Sequence, residues 1–189
     1  MITSQAAPAA LKILVAGGFG VGKTTLVGAV SEVPPLHTEE YMTKAGIGVD
    51  DLAGVGDKET TTVALDFGRI TINDDLVVYL FGTPGQERFW FMWNDLVHGA
   101  LGGVVIADTR RLDSSFASID FFESRRIPFV VAINCFHGRN TRTPDEIRAA
   151  LDLDPHVPLL IGDVRERAYG KEALLALVDH LARLNAPAA

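Results

Sequence analysis

The sequence predicts an α/β fold in which helices cover both faces of a mostly parallel sheet. Short apolar segments, such as residues 101–107 and 129–133, alternate along the chain with amphipathic segments. Strands without polar interruptions are typical of parallel sheets that are covered on both sides. The polar residues 73–75 (Asn-Asp-Asp) separate strand-like segments at 61–72 and 76–81, which indicates an antiparallel hairpin. We therefore expect six strands, with one antiparallel edge strand.

The remaining elements follow in chain order. A strand at residues 11–16 precedes a helix that begins near Lys23 and directs Leu26, Val27 and Val30 inward. The other predicted elements are a loop and helix at 83–98, helices at 116–123 and 144–151, a short strand at 159–161 and a last helix at 171–184. The helical period places five side chains of the last helix on one buried face: Leu174, Leu177, Val178, Leu181 and Leu184.

The composition indicates one folded domain and no nucleic-acid partner. The chain has 189 residues, of which 48% are hydrophobic and 22% charged, and its formal net charge is −7. Nonspecific nucleic-acid binders instead carry a basic face. One cysteine cannot form an internal disulfide, and no apolar run approaches the roughly 20 residues that span a bilayer. We expect a cytoplasmic protein with a flexible arm at 1–10, one domain at 11–185 and a tail at 186–189.

A phosphate-binding loop connects the first strand and the first helix. Residues 17–24 read GGFGVGKT and match GxxxxGK[ST], with a strand before them and a helix after them. Glycines let backbone N–H groups turn toward one point, where the helix N-terminus adds positive potential. We expect Lys23 to hold the β- and γ-phosphates and the Thr24 hydroxyl to bind Mg²⁺. The predicted nucleotide contacts of this P-loop NTPase motif are Gly17, Gly18, Phe19, Gly20, Val21, Gly22, Lys23, Thr24 and Thr25.

Four further segments carry a resemblance to a known family. They read TTTVALDFG (60–68), FGTPGQERF (81–89), ADTRR (107–111) and NCFHG (134–138). With the order of the elements, they resemble the Ras-like small GTPases, most closely the bacterial MglA-like branch and the GTP-binding proteins of actinobacterial conservon operons. The resemblance implies a small G-domain that binds GTP or GDP with Mg²⁺.

On that resemblance, residues 31–62 are switch I and residues 83 to about 95 are switch II. Thr62 would reach Mg²⁺ and the γ-phosphate, with Thr61, or an ordinary strand threonine, as the alternative. The backbone N–H of Gly85 would meet the γ-phosphate, and Gln86 would orient the attacking water. An exposed loop glutamine without that role is the alternative for Gln86.

The resemblance places the base site after two later strands. Asn134 stands at the family's NKxD motif, and residues 163–165 (Asp-Val-Arg) stand at its SAK loop. Asn134 would contact the base, unless it only caps the strand end, and the backbone N–H of Val164 would receive the guanine carbonyl. The residues at base-site positions are Asn134, Cys135, His137, Asp163, Val164 and Arg165.

Two positions near the phosphates depart from the Ras-type pattern. Gly82 replaces the aspartate that holds Mg²⁺ through water, an aspartate that MglA-like proteins also lack. Asp108 could supply a carboxylate instead, if it is not an ordinary cap. Phe19 replaces a small glycine, so its side chain would crowd Gln86 and slow hydrolysis, unless the ring turns outward over the loop.

Two positions at the base site also depart from the pattern. His137 stands where an aspartate selects guanine, and a neutral histidine has only one acceptor nitrogen for the two hydrogen bonds. The loss would cost about 2–4 kcal/mol of selectivity. Cys135 replaces a lysine that packs along the base. Both changes predict weaker nucleotide binding.

Residues 89–93 (FWFMW) follow the predicted catalytic glutamine. Five large apolar side chains cannot all face inward on a helix, so some should form an exposed patch that contacts a partner. Four arginines are candidates for an internal arginine finger: Arg69, Arg88, Arg110 and Arg111. Surface charge is the alternative for each, and the sequence does not choose among them.

The leading interpretation is a guanine-nucleotide switch with slow intrinsic hydrolysis, either a monomer or a weak dimer, in which GTP orders the switch segments. The resemblance suggests a Roadblock/LC7-type regulator and a membrane histidine-kinase-like protein as partners, which would recruit the chain to the inner face of the membrane. A pseudo-GTPase scaffold that binds partners whatever the nucleotide is the second interpretation. An ATP-using phosphotransferase is the third, and it leaves residues 83–86 (TPGQ) unexplained.

Overall fold

The computed structural model describes residues 7–34, 36–42, 61–136 and 142–186, and the fold below is that of these residues. The strands are β1 (Ala9–Ala16), β2 (Leu36–Met42), β3 (Thr61–Asn73), β4 (Leu76–Gly82), β5 (Ala100–Asp108), β6 (Phe129–Asn134) and β7 (Leu159–Gly162). The α-helices are α1 (Lys23–Val30), α2 (Trp93–Leu96), α3 (Phe116–Ser124), α4 (Pro144–Ala150) and α5 (Arg167–Leu184). Short 3-10 helices at Glu87–Met92 and Leu112–Ser115 lead directly into α2 and α3.

The strands form one sheet in the order β2-β3-β4-β1-β5-β6-β7. β1 runs parallel to β4 on one side and to β5 on the other, and β6 and β7 continue the parallel arrangement. β3 is antiparallel to β4 across the predicted turn. The predicted fold class is confirmed, and each of the six predicted strands is present.

The sheet has one more strand than the sequence pattern predicts. β2 is antiparallel to β3, with Leu36 opposite Phe67 and Met42 opposite Thr61. It lies within the segment interpreted as switch I, of which residues 35 and 43–60 are outside the described residues. The sequence of β2, LHTEEYM, has no apolar alternation. Its pairing with a segment far along the chain therefore leaves no local signal.

Side chains of the central strands alternate between two hydrophobic clusters, one on each face of the sheet. In β1, Ile13 and Val15 belong to the cluster of α1 and α5, whereas Leu14 and Ala16 belong to the cluster of α3 and α4. Strands alternate their side chains in this way, so a continuous apolar segment supplies both clusters. The inward face predicted for α1 is confirmed by the burial of Leu26, Val27 and Val30.

The last helix differs from its prediction in start and in face. α5 begins at Arg167 rather than 171. Leu174, Leu177 and Leu181 are buried as predicted, but Val178 and Leu184 are 44% and 57% exposed, so their placement on the buried face is wrong. Val178 is about 100° from Leu177 around the helix, and Leu184 lies in its last turn. No helix in the described ranges is long and apolar enough to cross a membrane.

The carboxyl ends of β1, β4, β5, β6 and β7 meet at one edge of the sheet, because these strands are parallel. The loops that follow them contain the phosphate-loop residues 17–22, the residues 83–86 and the residues predicted for the base site. Ligands of open α/β sheets bind at this edge. The candidate site is therefore assembled here.

Candidate nucleotide site

The loop between β1 and α1 has a backbone course that requires glycine at two positions. Gly17 and Gly22 have φ values of 139° and 109°, which residues with a side chain rarely adopt. Both are also enclosed. A Cβ on Gly17 would collide with the Ile106 carbonyl oxygen, and one on Gly22 would lie 2.8 Å from Val164 Cγ2. The loop is therefore packed tightly against β5 and the loop after β7.

Lys23 is buried inside this loop, where backbone carbonyl groups bind its ammonium. Its Nζ donates to the carbonyl oxygens of Gly17 (2.9 Å) and Gly18 (2.7 Å). Burial lowers the pKa of Lys23 to about 8, and the negative charge of Asp66 opposes that shift. A phosphate beside Nζ would favour the charged form and raise the pKa again. The contact of Lys23 with the β- and γ-phosphates stays a prediction.

Thr24, the next residue, is hydrogen-bonded to a carboxylate that sequence reasoning did not assign to the site. Its hydroxyl donates to Asp66 Oδ2 at 2.6 Å. Asp66 lies in β3 and is buried, and a buried carboxylate requires hydrogen bonds or a nearby cation. Lys23 is close enough for its pKa to respond to that charge. Asp66 is thus part of the phosphate end of the site.

Asp66 also explains the glycine at position 82. A Cβ on Gly82 would lie 2.8 Å from Asp66 Cβ and 3.0 Å from Asp66 Oδ2. A side chain at position 82 would therefore compete with Asp66 for one space. The carboxylate that β4 lacks at Gly82 has its counterpart on the neighbouring strand β3.

The Thr24–Asp66 pair has the chemistry that suits Mg²⁺. This ion prefers oxygen ligands and is usually held by one or two carboxylates together with substrate phosphates. The hydroxyl and the carboxylate both offer oxygen. Thr24 would hold the ion, and Asp66 would fix the direction of the Thr24 hydroxyl. When bound, Mg²⁺ would neutralise part of the phosphate charge.

Asp108, the carboxylate considered from the sequence, is engaged by Arg110 instead. Arg110 donates from Nε to both carboxylate oxygens at 2.9 and 3.0 Å, and from Nη2 to Oδ2 at 2.7 Å. Burial by itself raises the pKa of Asp108, but the hydrogen bonds from Arg110 outweigh burial, so the pKa is lowered. Asp108 also accepts from the Arg110 backbone N–H, as the cap alternative for this residue describes, and the carboxylate beside Thr24 is Asp66.

The segment after β4 packs directly on the phosphate loop. The Thr83 N–H donates to the Val15 carbonyl oxygen at 2.8 Å. A Cβ on Gly85 would lie 2.5 Å from Lys23 Nζ and 3.0 Å from the Gly18 carbonyl oxygen. Gln86 is half-buried and directly precedes the 3-10 helix Glu87–Met92. The phosphate contact of Gly85 and the water-orienting role of Gln86 stay predictions.

The aromatic residues near this segment divide between core and surface, as expected from the sequence. Phe89 and Trp93 are buried, and Trp93 Nε1 donates to the Pro84 carbonyl oxygen at 3.0 Å. Trp90 and Phe91 are 37% and 55% exposed. Phe19 is 66% exposed, so its ring turns outward, which is the alternative considered for this residue.

Thr62 lies in β3, where its backbone is opposite Tyr41 of β2. It precedes Asp66 by four residues, which is about 13 Å along a strand that advances about 3.3 Å per residue. A contact between Thr62 and a metal ion at Thr24 would therefore require this end of β3 to leave β2. The metal-binding role of Thr62 stays a prediction.

A cavity of about 270 Å³ opens beside the phosphate loop at the predicted base site. The residues that line it are Gly20, Gly22, Thr25, Asn134, Phe136, Asp163, Val164 and Arg165. The fold thus brings Asn134 together with all three residues of the 163–165 segment. His137 is outside the described residues.

Asn134 connects three segments at the base of this cavity. Its Nδ2 donates to the Val21 carbonyl oxygen at 2.9 Å, and its Oδ1 accepts from the Val164 N–H at 3.3 Å. An amide nitrogen carries two hydrogens, so one N–H of Asn134 remains for a base. The Val164 N–H already donates to Asn134, so it would have to exchange partners to receive a guanine carbonyl. Both base contacts stay predictions.

Phe136 is a cavity residue that sequence reasoning missed. Cys135 is buried in the core, where burial raises the pKa of its thiol, and the next side chain, Phe136, lines the cavity instead. The guanidinium carbon of Arg110 lies 3.9 Å from the centroid of the Phe136 ring. The sequence held one signal for this role of Phe136. It is an aromatic residue directly after Cys135, the position of the lysine that packs along the base in the NKxD motif.

The same Asp-x-Arg pairing occurs on both sides of the cavity. Arg165 donates to Asp163 as Arg110 does to Asp108, from the backbone N–H and Nε to Oδ1, both at 2.9 Å, and from Nη2 to Oδ2. The first pair follows β5 and the second follows β7. Each carboxylate at this end is therefore matched by an arginine from its own loop.

Comparison with known proteins identifies a family and a relative. A family model described as conserved hypothetical ATP-binding protein matches residues 15–184, from the end of β1 to the end of α5. MJ1339, an uncharacterized protein of Methanocaldococcus jannaschii, is 32% identical over 126 residues, which cover 66% of this chain and 69% of that protein.

Solved structures with a similar fold include parts of the FeoB iron transporter of T. maritima. Its G domain has a TM-score of 0.61 at 17% identity, covering 91% of this chain and 99% of that chain. Its cytosolic domain in a GDP form has a TM-score of 0.65 at 15% identity, covering 93% of this chain and 65% of that chain. At these identities, the similarity shows the fold, which is that of a P-loop NTPase of the G-domain type.

Proposed function

The chain belongs to the family of conserved hypothetical ATP-binding proteins, and from that premise we propose that it is a small GTP-binding protein whose nucleotide state acts as a switch. It binds GTP or GDP with Mg²⁺ and hydrolyses GTP. Slow hydrolysis stays part of the proposal by resemblance alone, because the outward ring of Phe19 does not crowd Gln86. We place it in the MglA-like, conservon-type branch of the Ras-like GTPases. The segment FGTPGQERF at 81–89 supports this placement, because it resembles the switch II segment of that branch.

One observation carries the switch proposal, namely the packing of Gly85 against Lys23 and Gly18. A terminal phosphate at Lys23 would enter the space between the phosphate loop and residues 83–86. Residues 83–86 would then have to move when a triphosphate binds, whereas they could keep their position when a diphosphate binds. The boundaries of switch I at 31–62 and switch II at 83–95 belong to the same proposal.

The identity of the base is the part of the proposal that most needs a test, because the family description names ATP. Asn134 and residues 163–165 support guanine, because they occupy the positions of the NKxD and SAK motifs. A base must fit between Phe136 and the loop residues that line the same cavity. Guanine would accept a hydrogen bond from Val164 at its carbonyl oxygen, and adenine has no such acceptor there.

The test is a titration of nucleotide-free protein with GDP and with GTP and ATP analogues, each with and without Mg²⁺. We expect a guanine preference of about 100-fold or more, which is about 2.7 kcal/mol, and tighter triphosphate binding with Mg²⁺. Lys23→Ala is the matched variant that should bind all of these nucleotides far more weakly. Preference for the ATP analogue would replace the guanine proposal with an ATP-dependent function.

The exposed aromatic residues favour a second candidate, a pseudo-GTPase scaffold. Phe19, Trp90 and Phe91 present apolar surface beside the phosphate loop, and such surface marks contact sites. By resemblance, a Roadblock/LC7-type regulator and a membrane histidine-kinase-like protein would bind the chain and bring it to the membrane. Measuring regulator binding to the GDP, GTP-analogue and nucleotide-free forms separates the candidates, because only a scaffold binds all three equally.

A further inference from the structure

Two consecutive arginines follow β5, and their side chains have different surroundings. Arg110 is bonded to the buried Asp108 and lies over the ring of Phe136. The side chain of Arg111 is exposed, and its Nη2 donates to the carbonyl oxygen of Phe19 at 3.0 Å. Arg110 therefore faces the base end of the site, and Arg111 faces the phosphate loop.

The backbone of Arg111 is held firmly against this loop. Its N–H donates to the Asp108 carbonyl oxygen at 2.9 Å, and its own carbonyl oxygen accepts from Ser114 Oγ at 2.8 Å. Ser114 in turn touches the loop, because a Cβ on Gly18 would lie 2.8 Å from Ser114 Oγ. The backbone from which the Arg111 side chain extends is thus held next to the loop.

Arg111 also lines a cavity of about 210 Å³ that includes Gly17, Gly18, Gly85 and Trp90. This cavity contains both groups between which a terminal phosphate would bind, the phosphate loop and Gly85. A guanidinium has five N–H donors, and one serves the Phe19 carbonyl oxygen. The others remain for an anion in the cavity.

We propose that Arg111 contacts the terminal phosphate of a bound nucleoside triphosphate and is this chain's own arginine finger. The proposal rests on the proposed function only in requiring a triphosphate at the loop, whichever base it carries. Among the other candidates, Arg110 is bonded to Asp108. Arg69 lies in β3, where its backbone carbonyl oxygen accepts from the N–H of Glu32 at 2.8 Å. The side chain of Arg88 is outside the described structure.

The chemistry that Arg111 assists is hydrolysis of the terminal phosphoanhydride. The oxygen of water bonds to the γ-phosphorus while the bond from that phosphorus to the β–γ bridging oxygen breaks. The bridging oxygen leaves with the electron pair on the nucleoside diphosphate, and the two protons of the water go to inorganic phosphate as H2PO4−, which releases one of them to solvent near neutral pH. Charge grows on the bridging and γ-oxygens, and a guanidinium stabilises charge at that place.

The experiment compares Arg111→Ala, Arg111→Lys and the control Arg183→Ala, which changes an exposed arginine in α5. Three quantities are measured with guanine and with adenine nucleotides: affinity for the diphosphate, affinity for a non-hydrolysable triphosphate, and the single-turnover hydrolysis rate. The thermal midpoint of each variant reports whether the loop still folds. Formation of a complex with the diphosphate and aluminium fluoride reports on the transition state.

We expect Arg111→Ala to keep diphosphate affinity within about twofold, to lose about tenfold or more in triphosphate affinity and to lose about 100-fold or more in hydrolysis. Arg111→Lys should restore the thermal midpoint without restoring the rate, because one ammonium cannot reproduce the planar fork. The aluminium fluoride complex should form with wild-type protein and fail with Arg111→Ala.

Two results with the Arg111 variants would overturn the assignment. An equal loss of diphosphate and triphosphate affinity would mean that Arg111 only ties down the phosphate loop. Unchanged triphosphate affinity and rate would mean that it is a surface charge. A wild-type protein that binds adenine and guanine triphosphates equally would end the guanine proposal and leave the Arg111 comparison intact, whereas one that binds neither overturns both.

Discussion

The phosphate end and the base end of the candidate site are built in different ways. At the phosphate end, one continuous segment supplies the loop, Lys23 and Thr24, and a single outside side chain, Asp66, completes it. At the base end, polar groups are bonded to one another: the Val164 backbone N–H donates to Asn134 from a separate loop, and Arg165 donates to Asp163 within one loop. The ammonium at the phosphate end is bonded to neutral carbonyl groups, whereas the arginine at the base end is paired with a carboxylate.

The two constructions imply different sources for affinity and for selectivity. Backbone groups and a buried lysine bind phosphates whatever base they carry. To select a base, polar groups of the protein must exchange their present hydrogen-bond partners for the base. Each exchange contributes only a small net free energy to binding. We therefore expect most of the affinity to come from the phosphate end and the guanine preference to come from the base end, so that a variant at one end leaves the other as the reference.

The largest effect is expected from Lys23→Ala. Removing one partner of a buried charge pair costs about 3–5 kcal/mol, so affinity for every nucleotide should fall by about 150-fold to 5,000-fold. The guanine-to-adenine ratio should stay unchanged, as calorimetric titration can measure. A changed ratio would contradict the separation of the two ends. Lys171→Ala, in the first turns of α5, is the control that should bind as wild type.

Asp66→Asn is expected to come next. Loss of a residue that orients a metal ligand typically costs 10-fold to 100-fold in metal affinity. Titration of the nucleotide complex with Mg²⁺ should therefore show a midpoint raised by about that factor, with little change in binding measured without Mg²⁺. Asp74→Asn, in the exposed turn between β3 and β4, is the matched control.

The double variant Asp66→Gly with Gly82→Asp tests whether the two positions share one space. It places the carboxylate at position 82 of β4 instead of position 66 of β3. We expect the double variant to show part of the wild-type Mg²⁺ dependence. Gly82→Asp alone should destabilise the fold, because the new side chain meets Asp66. Equal thermal midpoints for the single and double variants would contradict the steric argument.

A pH dependence of nucleotide affinity is expected from Lys23. Its pKa is lowered to about 8 by burial, and a phosphate favours the charged form. Below pH 8, Lys23 is already protonated and affinity should be flat. Above pH 8, binding takes up a proton, so affinity should fall by up to about tenfold per pH unit. Titrations between pH 7 and 9, in buffers of different ionisation enthalpy, measure this uptake, and Lys23→Ala should abolish it.

The smallest effect is expected at the base end, from Phe136→Ala. Stacking of a base on an aromatic ring contributes about 1–3 kcal/mol, and Arg110 already covers one face of this ring. Affinity should therefore fall by about fivefold to tenfold for nucleoside diphosphates and not at all for pyrophosphate. An equal loss for pyrophosphate would show that Phe136 acts through the phosphate loop. Phe116→Ala, an exposed phenylalanine in α3, serves as the control.

The sequence predicted the parts of the molecule that depend on neighbouring residues. The phosphate loop, the face of α1 and the alternating apolar strands follow from local periods and glycine positions. Cys135 and Phe136 show the limit at one strand end, because which of two adjacent side chains enters the cavity depends on how the chain leaves β6. Val178 shows the same limit for a helix, because the width of the buried face of α5 depends on the sheet against which the helix packs.

Asp66 shows why a long-range contact escaped the sequence. Counting outward from the turn, where Asn73 faces Leu76, would place Phe67 opposite Gly82. An irregularity in β3 between Thr71 and Asn73 shifts the pairing by one residue, so Phe67 faces Phe81, and Asp66 comes to Gly82. A shift of one residue exchanges the two faces of a strand. No residue around the turn indicates this shift in register.

The arrangement of the two tryptophans has a consequence for how the protein can be observed. The sequence contains only Trp90 and Trp93, and both follow the segment that closes on the phosphate loop. Trp93 is buried and bonded to Pro84, whereas Trp90 is partly exposed in the cavity that contains Gly85 and Arg111. Ultraviolet emission from the unlabelled chain is therefore a built-in optical reporter of that cavity. Rapid mixing with nucleotide should follow its filling in real time, with the buried indole as the steady background.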